Sequence, residues 1–132
     1  MAIRIITDSA SDLVRPQRKE VTVLPMSITF GEREYQDGVN LTHREFYERL
    51  VEGDDLPVTS QIGPGQFGDA FRAAVEAGET VVAVTLSSKL SGTWQSACLA
   101  AEEFPGQVYV VDSESAAIGE MILVERALEL LD

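Results

Sequence analysis

The densest chemistry in this chain lies in Ser87-Ser88-Lys89-Leu90-Ser91-Gly92-Thr93, a run of hydroxyls around one glycine. It follows the apolar run Val81-Val82-Ala83-Val84-Thr85-Leu86 and leads into residues of helical spacing. A strand therefore feeds a hydroxyl-rich turn, and the turn opens a helix. Unpaired backbone N–H groups, the positive end of the helix dipole and several O–H donors then meet in one small volume. That combination suits a carboxylate or a phosphate. Ser91 also has an ordinary role open to it, because serine is a favoured helix cap. Gly92 lets a ligand approach the backbone closely.

The other reactive residue types read as structural. Asp8 and Asp12, in Asp8-Ser9-Ala10-Ser11-Asp12, have the form of caps on a turn or helix. A metal site there needs further carboxylates, and Asp112 is the one obvious candidate. His43, the single histidine, falls in the first turn of a surface helix and reads as solvated. A Ser-His-Asp hydrolase therefore has no base to draw on. Cys98 sits on an apolar helical stripe with Trp94, Ala97 and Ala101, and reads as core. Gly63-Pro64-Gly65-Gln66-Phe67-Gly68 has the letters of a dinucleotide loop. That loop needs a strand before it and an acidic residue ending the next strand. Here a polar, proline-interrupted segment precedes it and Leu86-Ser87-Ser88 ends the next strand, so it reads as a loop and helix start.

These residues need a scaffold, and the 132 residues suffice for one domain with a core of its own. Ten Lys and Arg against 22 Asp and Glu give a net charge of −12. That field repels nucleic acid and anionic membrane surfaces, so neither is an expected partner. A single cysteine excludes an intrachain disulfide and fits a reducing, cytoplasmic setting. No signal peptide or membrane-spanning run is apparent.

Strand-like runs at residues 3–6, 21–24, 81–86 and 108–111 alternate with helical patterns. Ser27-Ile28-Thr29-Phe30 and Arg33-Glu34-Tyr35-Gln36 flank Gly31-Glu32 as a β-hairpin, and Asp37-Gly38 turns the chain. Thr42 with Glu45 forms a capping box for the next helix. Residues 56–61 read as extended or loop. Phe67, Ala70, Phe71, Ala74 and Val75 make one helical stripe; Met121, Val124, Leu128 and Leu131 make another within a final helix over 117–131. The expected fold is α/β, a largely parallel sheet flanked by helices with a small β-hairpin. Ligands of such sheets sit beyond the carboxyl ends of the strands. Asp8-Ser9, Ser87-Ser88 and Asp112-Ser113 should gather there, joined by Thr59-Ser60 from its loop.

Five separated motifs together resemble the DegV family of bacterial lipid-binding proteins, whose fatty-acid-kinase members are called FakB. They are Ile6-Thr7-Asp8-Ser9-Ala10-Ser11-Asp12-Leu13, Tyr35-Gln36-Asp37-Gly38-Val39 with Phe46-Tyr47, Pro57-Val58-Thr59-Ser60-Gln61, the 86–97 segment, and Val111-Asp112-Ser113 followed by Gly119. At Gly119-Glu120-Met121 the chain departs from the family's Gly-x-Gly. The resemblance implies two α/β domains holding one long-chain fatty acid, of which residues 1–132 are the N-terminal one, cut before the second. It implies that Thr59 and Ser91 bond the carboxylate, assisted by the Gly92 N–H and Ser60. It further implies a separate kinase subunit, with a dihydroxyacetone-kinase-like fold, that phosphorylates the bound acid. The chain itself is then a binding protein, with no catalytic residue, metal or cofactor beyond the fatty acid as ligand. The rival reading is an enzyme that processes a small phosphorylated or carboxylated metabolite through Asp8 or Ser91.

Overall fold

The computed structural model describes residues 2–13, 19–37, 39–53 and 56–131. Strands β1 (Ala2–Asp8), β2 (Val21–Leu24), β6 (Glu79–Thr85) and β7 (Val108–Asp112) form one parallel sheet in the order β2-β1-β6-β7. Its central strands are apolar on both sides because both sides are covered. On one face, helices α2 (Pro64–Glu76) and α3 (Thr93–Ala101) pack on Ile6, Val81, Ala83 and Val108, with Phe67 and Phe71 fully buried. On the other, α4 (Ile118–Leu131) brings Val124 and Leu128 against Ile5, Val21 and Val84. The alternation of neighbours, Ile5 to one core and Ile6 to the other, is the period-two geometry of a strand.

The expected hairpin is present but belongs to something larger. Strands β3 (Ser27–Phe30) and β4 (Arg33–Gln36) pair antiparallel, and β5 (Pro57–Ser60) pairs antiparallel with the other side of β3. The result is a three-stranded sheet in the order β4-β3-β5. The polar, proline-led sequence of β5 conceals a strand because that strand lies at an edge, where proline's missing donor costs nothing. Helix α1 (His43–Glu52) closes this sheet, with Phe46 against Phe30 at 5.7 Å between ring centroids. Thr42 and Glu45 form the expected capping box. Gly38, half of the expected Asp37-Gly38 turn, lies outside the described residues.

One helix is rotated from its expected stripe. The buried side of α3 is Thr93, Ser96, Ala97 and Ala100, while Trp94, Cys98 and Ala101 are half-buried. Small residues let α3 sit close to both α2 and the sheet, and an indole has no room there. Cys98 is therefore not a full core residue. Helix α4 starts at Ile118 and not at 117; it keeps its expected stripe, with Val124 buried and Leu128 and Leu131 packed beside it, and adds Glu120 as a second buried position.

The connection from β7 to α4 carries two non-glycine residues in the left-handed region, Glu114 at φ 54° and Ala117 at φ 53°. Alanine at such a φ costs about 1–2 kcal/mol. Ala117→Gly is expected to raise stability by up to about 1 kcal/mol in urea denaturation, part of the relief being lost to the freer unfolded chain. An unchanged or lower midpoint would show that the connection is not strained.

Candidate functional site

The expected gathering of strand ends occurs, and specific hydrogen bonds explain it. The Asp8 carboxylate, at the end of β1, accepts from the Leu86 N–H at 2.7 Å and from the Ala10 N–H at 3.1 Å. The second bond caps the short 3-10 turn Ser9–Ser11. At the end of β7, Asp112 accepts from the Ser88 N–H at 3.1 Å and the Glu114 N–H at 3.0 Å. The side chain and backbone of Ser88, with Lys89 nearby, hold the Asp112 carboxyl below its ordinary range. The Ser87 N–H donates to the Ser115 carbonyl at 2.9 Å. The 87–93 turn is thus braced from both neighbouring strands.

Within the turn, Ser91 Oγ lies 2.9 Å from Thr93 Oγ1 and accepts from the Thr93 N–H at 3.2 Å. Gly92 is the N-cap residue of α3, so Ser91 serves the helix start from one position earlier. Capping and ligand binding are compatible here, since a hydroxyl that accepts from an N–H still has a proton to donate. Ser91 and Gly92 are half-buried at the surface.

Thr59 and Ser60 are exposed on β5, opposite Ile28 and Ser27 of β3. Neither side chain has a hydrogen-bond partner among the described residues. Two contacts bring this strand to the turn. The Ile62 N–H donates to Thr93 Oγ1 at 3.4 Å, and the Gln61 side chain lies so close to Gly92 that an added Cβ would fall 2.8 Å from its Cδ. A groove of about 540 Å³ runs between the two sheets, with Thr59 and Ser9 on its polar wall and Met26, Ile28, Phe46 and Leu86 as apolar lining. Ser9 Oγ accepts from the Met26 N–H at 3.0 Å, which fixes the small sheet to the large one at that point. His43 also lines the groove, although it is exposed on α1.

One residue at this edge escapes a search for hydroxyls. Glu120 of α4 is fully buried at the end of β1 and accepts from Thr7 Oγ1 at 2.8 Å through Oε2. Burial, reinforced by the adjoining Asp8 carboxylate, pushes its carboxyl up to about 9. Burial also raises Asp8, opposed by its backbone donors. The sequence signal was the spacing of Glu120, Val124, Leu128 and Leu131, which sets a carboxyl on the apolar stripe. Asp8 itself is fully buried with both oxygens engaged, and it cannot reach a substrate. Among the described residues no three His, Cys, Asp or Glu side chains are placed to hold a metal ion. No helix among them is long and apolar enough to cross a membrane.

Comparison with known proteins adds to this geometry. A family model described as "uncharacterised protein, DegV family" matches residues 2–132. A DegV domain-containing protein of Clostridium perfringens is 38% identical over 133 residues, covering 98% of this chain and 48% of its own. One of Deinococcus radiodurans is 41% identical, with coverage of 99% and 47%. Among solved structures, a DegV family protein from Thermus thermophilus, described for its fatty-acid binding, is similar with a TM-score of 0.88. It is 41% identical, over 99% of this chain and 48% of its own. A stearic-acid-binding protein from Eubacterium ventriosum has a TM-score of 0.85 at 34% identity, over 98% of this chain and 47% of its own. The chain spans about half the length of the relatives it matches.

Proposed function

This chain belongs to the DegV family, and from that premise we propose that it binds a long-chain fatty acid and presents the carboxylate to a separate kinase subunit. Thr59 and Ser91 donate to the carboxylate, the Gly92 N–H adds a third donor, and Ser60 assists from the end of β5. The observation that carries this reading is the contact of Gln61 with Gly92, which joins the segment following Thr59 and Ser60 to the turn that holds Ser91. The groove beside Thr59, lined by Met26, Ile28, Phe46 and Leu86, supports an apolar ligand. So does the fatty-acid binding described for the similar Thermus protein.

The division of labour follows from magnitudes. Burying an acyl chain yields about 0.8 kcal/mol per CH₂, so the chain supplies most of the affinity. The hydroxyls and the amide contribute about 1.5–3 kcal/mol per charge-assisted bond and fix the orientation of the reactive end. We assign residues 1–132 to the N-terminal part of such a clamp, with the tunnel completed by a second domain. Phosphorylation of the acid then belongs to a partner with a dihydroxyacetone-kinase-like fold, which brings ATP and its metal.

Organic extraction and mass spectrometry of the purified protein should recover a long-chain fatty acid. Absence of any co-purified acid, together with no binding on titration, would overturn the reading. Acyl phosphate should form only when the binding protein and a kinase of that class are mixed, and its formation by the kinase alone would remove the presenting role. Gly92→Ala should weaken fatty-acid binding by about tenfold or more, because the new methyl enters the space between Gln61 and the ligand-facing N–H. Its thermal midpoint should stay nearly unchanged, since the exposed Gln61 side chain can swing aside. Unchanged affinity in this variant would remove Gly92 from the site.

A further inference from the structure

The functional reading leaves the buried pair Glu120 and Asp8 without a role. Both side chains are fully buried, and no salt bridge reaches either one among the described residues. Thr7, the residue beside Asp8, holds Glu120 at 2.8 Å, and the two carboxyls lie within hydrogen-bond reach of each other; so placed they cannot both be ionised, and one proton stays between them. The hydrogen bonds say which one carries it. Asp8 accepts from two backbone N–H groups, which favours its charged form. Glu120 accepts from Thr7 through Oε2, while Oε1 has no donor directed at it. An oxygen without a donor beside a carboxylate is the position for an O–H, which donates to Asp8.

The structure assigns Glu120 as a positioning residue that acts on the 87–93 turn through Asp8. Its O–H holds the Asp8 carboxylate where that group clasps the Leu86 N–H, the last backbone donor before the turn. The same carboxylate clasps the Ala10 N–H, and the Ala10 carbonyl accepts from the Ala117 N–H at 2.7 Å, one residue before α4. One proton thus ties β1, the entry to the turn and the start of α4 into a closed loop of bonds. Among the described residues, the charged groups facing Glu120 are Asp8 from β1 and Asp12 after the short turn, and both are acidic. Loss of the proton sets two carboxylates against each other with no cation among the described residues to relieve them. Asp8 must then shift, and the Leu86 N–H shifts with it. The consequence for lipid binding rests on the head-group reading above; the coupling of Glu120 to Leu86 does not.

The test follows the Glu120 carboxyl and the Leu86 amide by NMR from roughly pH 6 to pH 10. The two signals should move with one midpoint. In Glu120→Gln, whose amide donates to Asp8 and accepts from Thr7, the Leu86 signal should be flat and its hydrogen-exchange protection kept. In Glu120→Ala the protection should fall by about tenfold or more. A Leu86 amide that ignores the Glu120 titration, or that titrates equally in Glu120→Gln, overturns the assignment. If Glu120→Ala does not fold, the Glu120→Gln comparison still decides. A fluorescent long-chain fatty acid serves as the second probe: wild-type affinity should fall as pH passes the Glu120 midpoint, and Glu120→Gln affinity should not. No binding at any pH removes the head-group reading, while the NMR titration still judges Glu120.

Discussion

Replacing Thr59 by valine together with Ser91 by alanine is expected to weaken fatty-acid binding by a hundredfold or more. Each substitution deletes one hydroxyl donor to a carboxylate, worth about 1.5–3 kcal/mol, and about 1.4 kcal/mol is a factor of ten. Thr59 has no hydrogen-bond partner among the described residues, so valine there removes only ligand contact and leaves stability unchanged. Ser91 also accepts from the Thr93 N–H, so alanine there costs about 1 kcal/mol of stability as well. The single variants should not sum to the double, because both hydroxyls address one carboxylate. Calorimetric titration of the four proteins with one fatty acid measures this directly. A loss below threefold in the double variant would move the head group elsewhere.

The second large effect is a stability that falls as pH rises, contrary to the usual behaviour of paired carboxylates. Glu120 keeps its proton to about pH 9 in the folded chain, against an ordinary value of 4.5. Between those limits the folded state binds more protons than the unfolded state, so stability is full below about pH 4.5 and declines through pH 9. One proton sets the slope at no more than about 1.4 kcal/mol per pH unit. The upward shift of Asp8 has the same sign, while Asp112, held low, loses its contribution only at the acid end. Urea midpoints from roughly pH 5 to pH 9 should trace the decline, and Glu120→Gln should flatten it. Equal slopes in the two proteins would place the titrating group elsewhere.

These expectations draw unequally on sequence and structure. The five DegV-like motifs were all readable in order, and so was the alternation of apolar strands with helical stripes. The reason is that strands covered on both faces must be apolar throughout, and such runs are visible in one dimension. The capping box of Thr42 and Glu45 was equally local. Three features were not readable. Residues 56–61 were readable as extended or loop, but their pairing with β3 as edge strand β5 was not, since an exposed edge imposes no apolar pattern. The rotation of α3 that buries Thr93 and Ser96 depends on how closely it meets α2, and that is a matter of packing. Glu120 stood on an apolar stripe, but its burial becomes meaningful only beside Asp8, more than a hundred residues away in sequence.

The sequence by itself determined the family, the α/β architecture and the residue types at the strand-end edge, because each of these is set by local pattern. The tertiary structure alone decided how that edge is assembled. It set Gln61 against Gly92, bonded Ile62 to Thr93 so that the end of β5 meets the turn, and buried Glu120 beside Thr7 and Asp8. Those are contacts between distant segments, and their energies come from burial and hydrogen-bond geometry that no single segment contains.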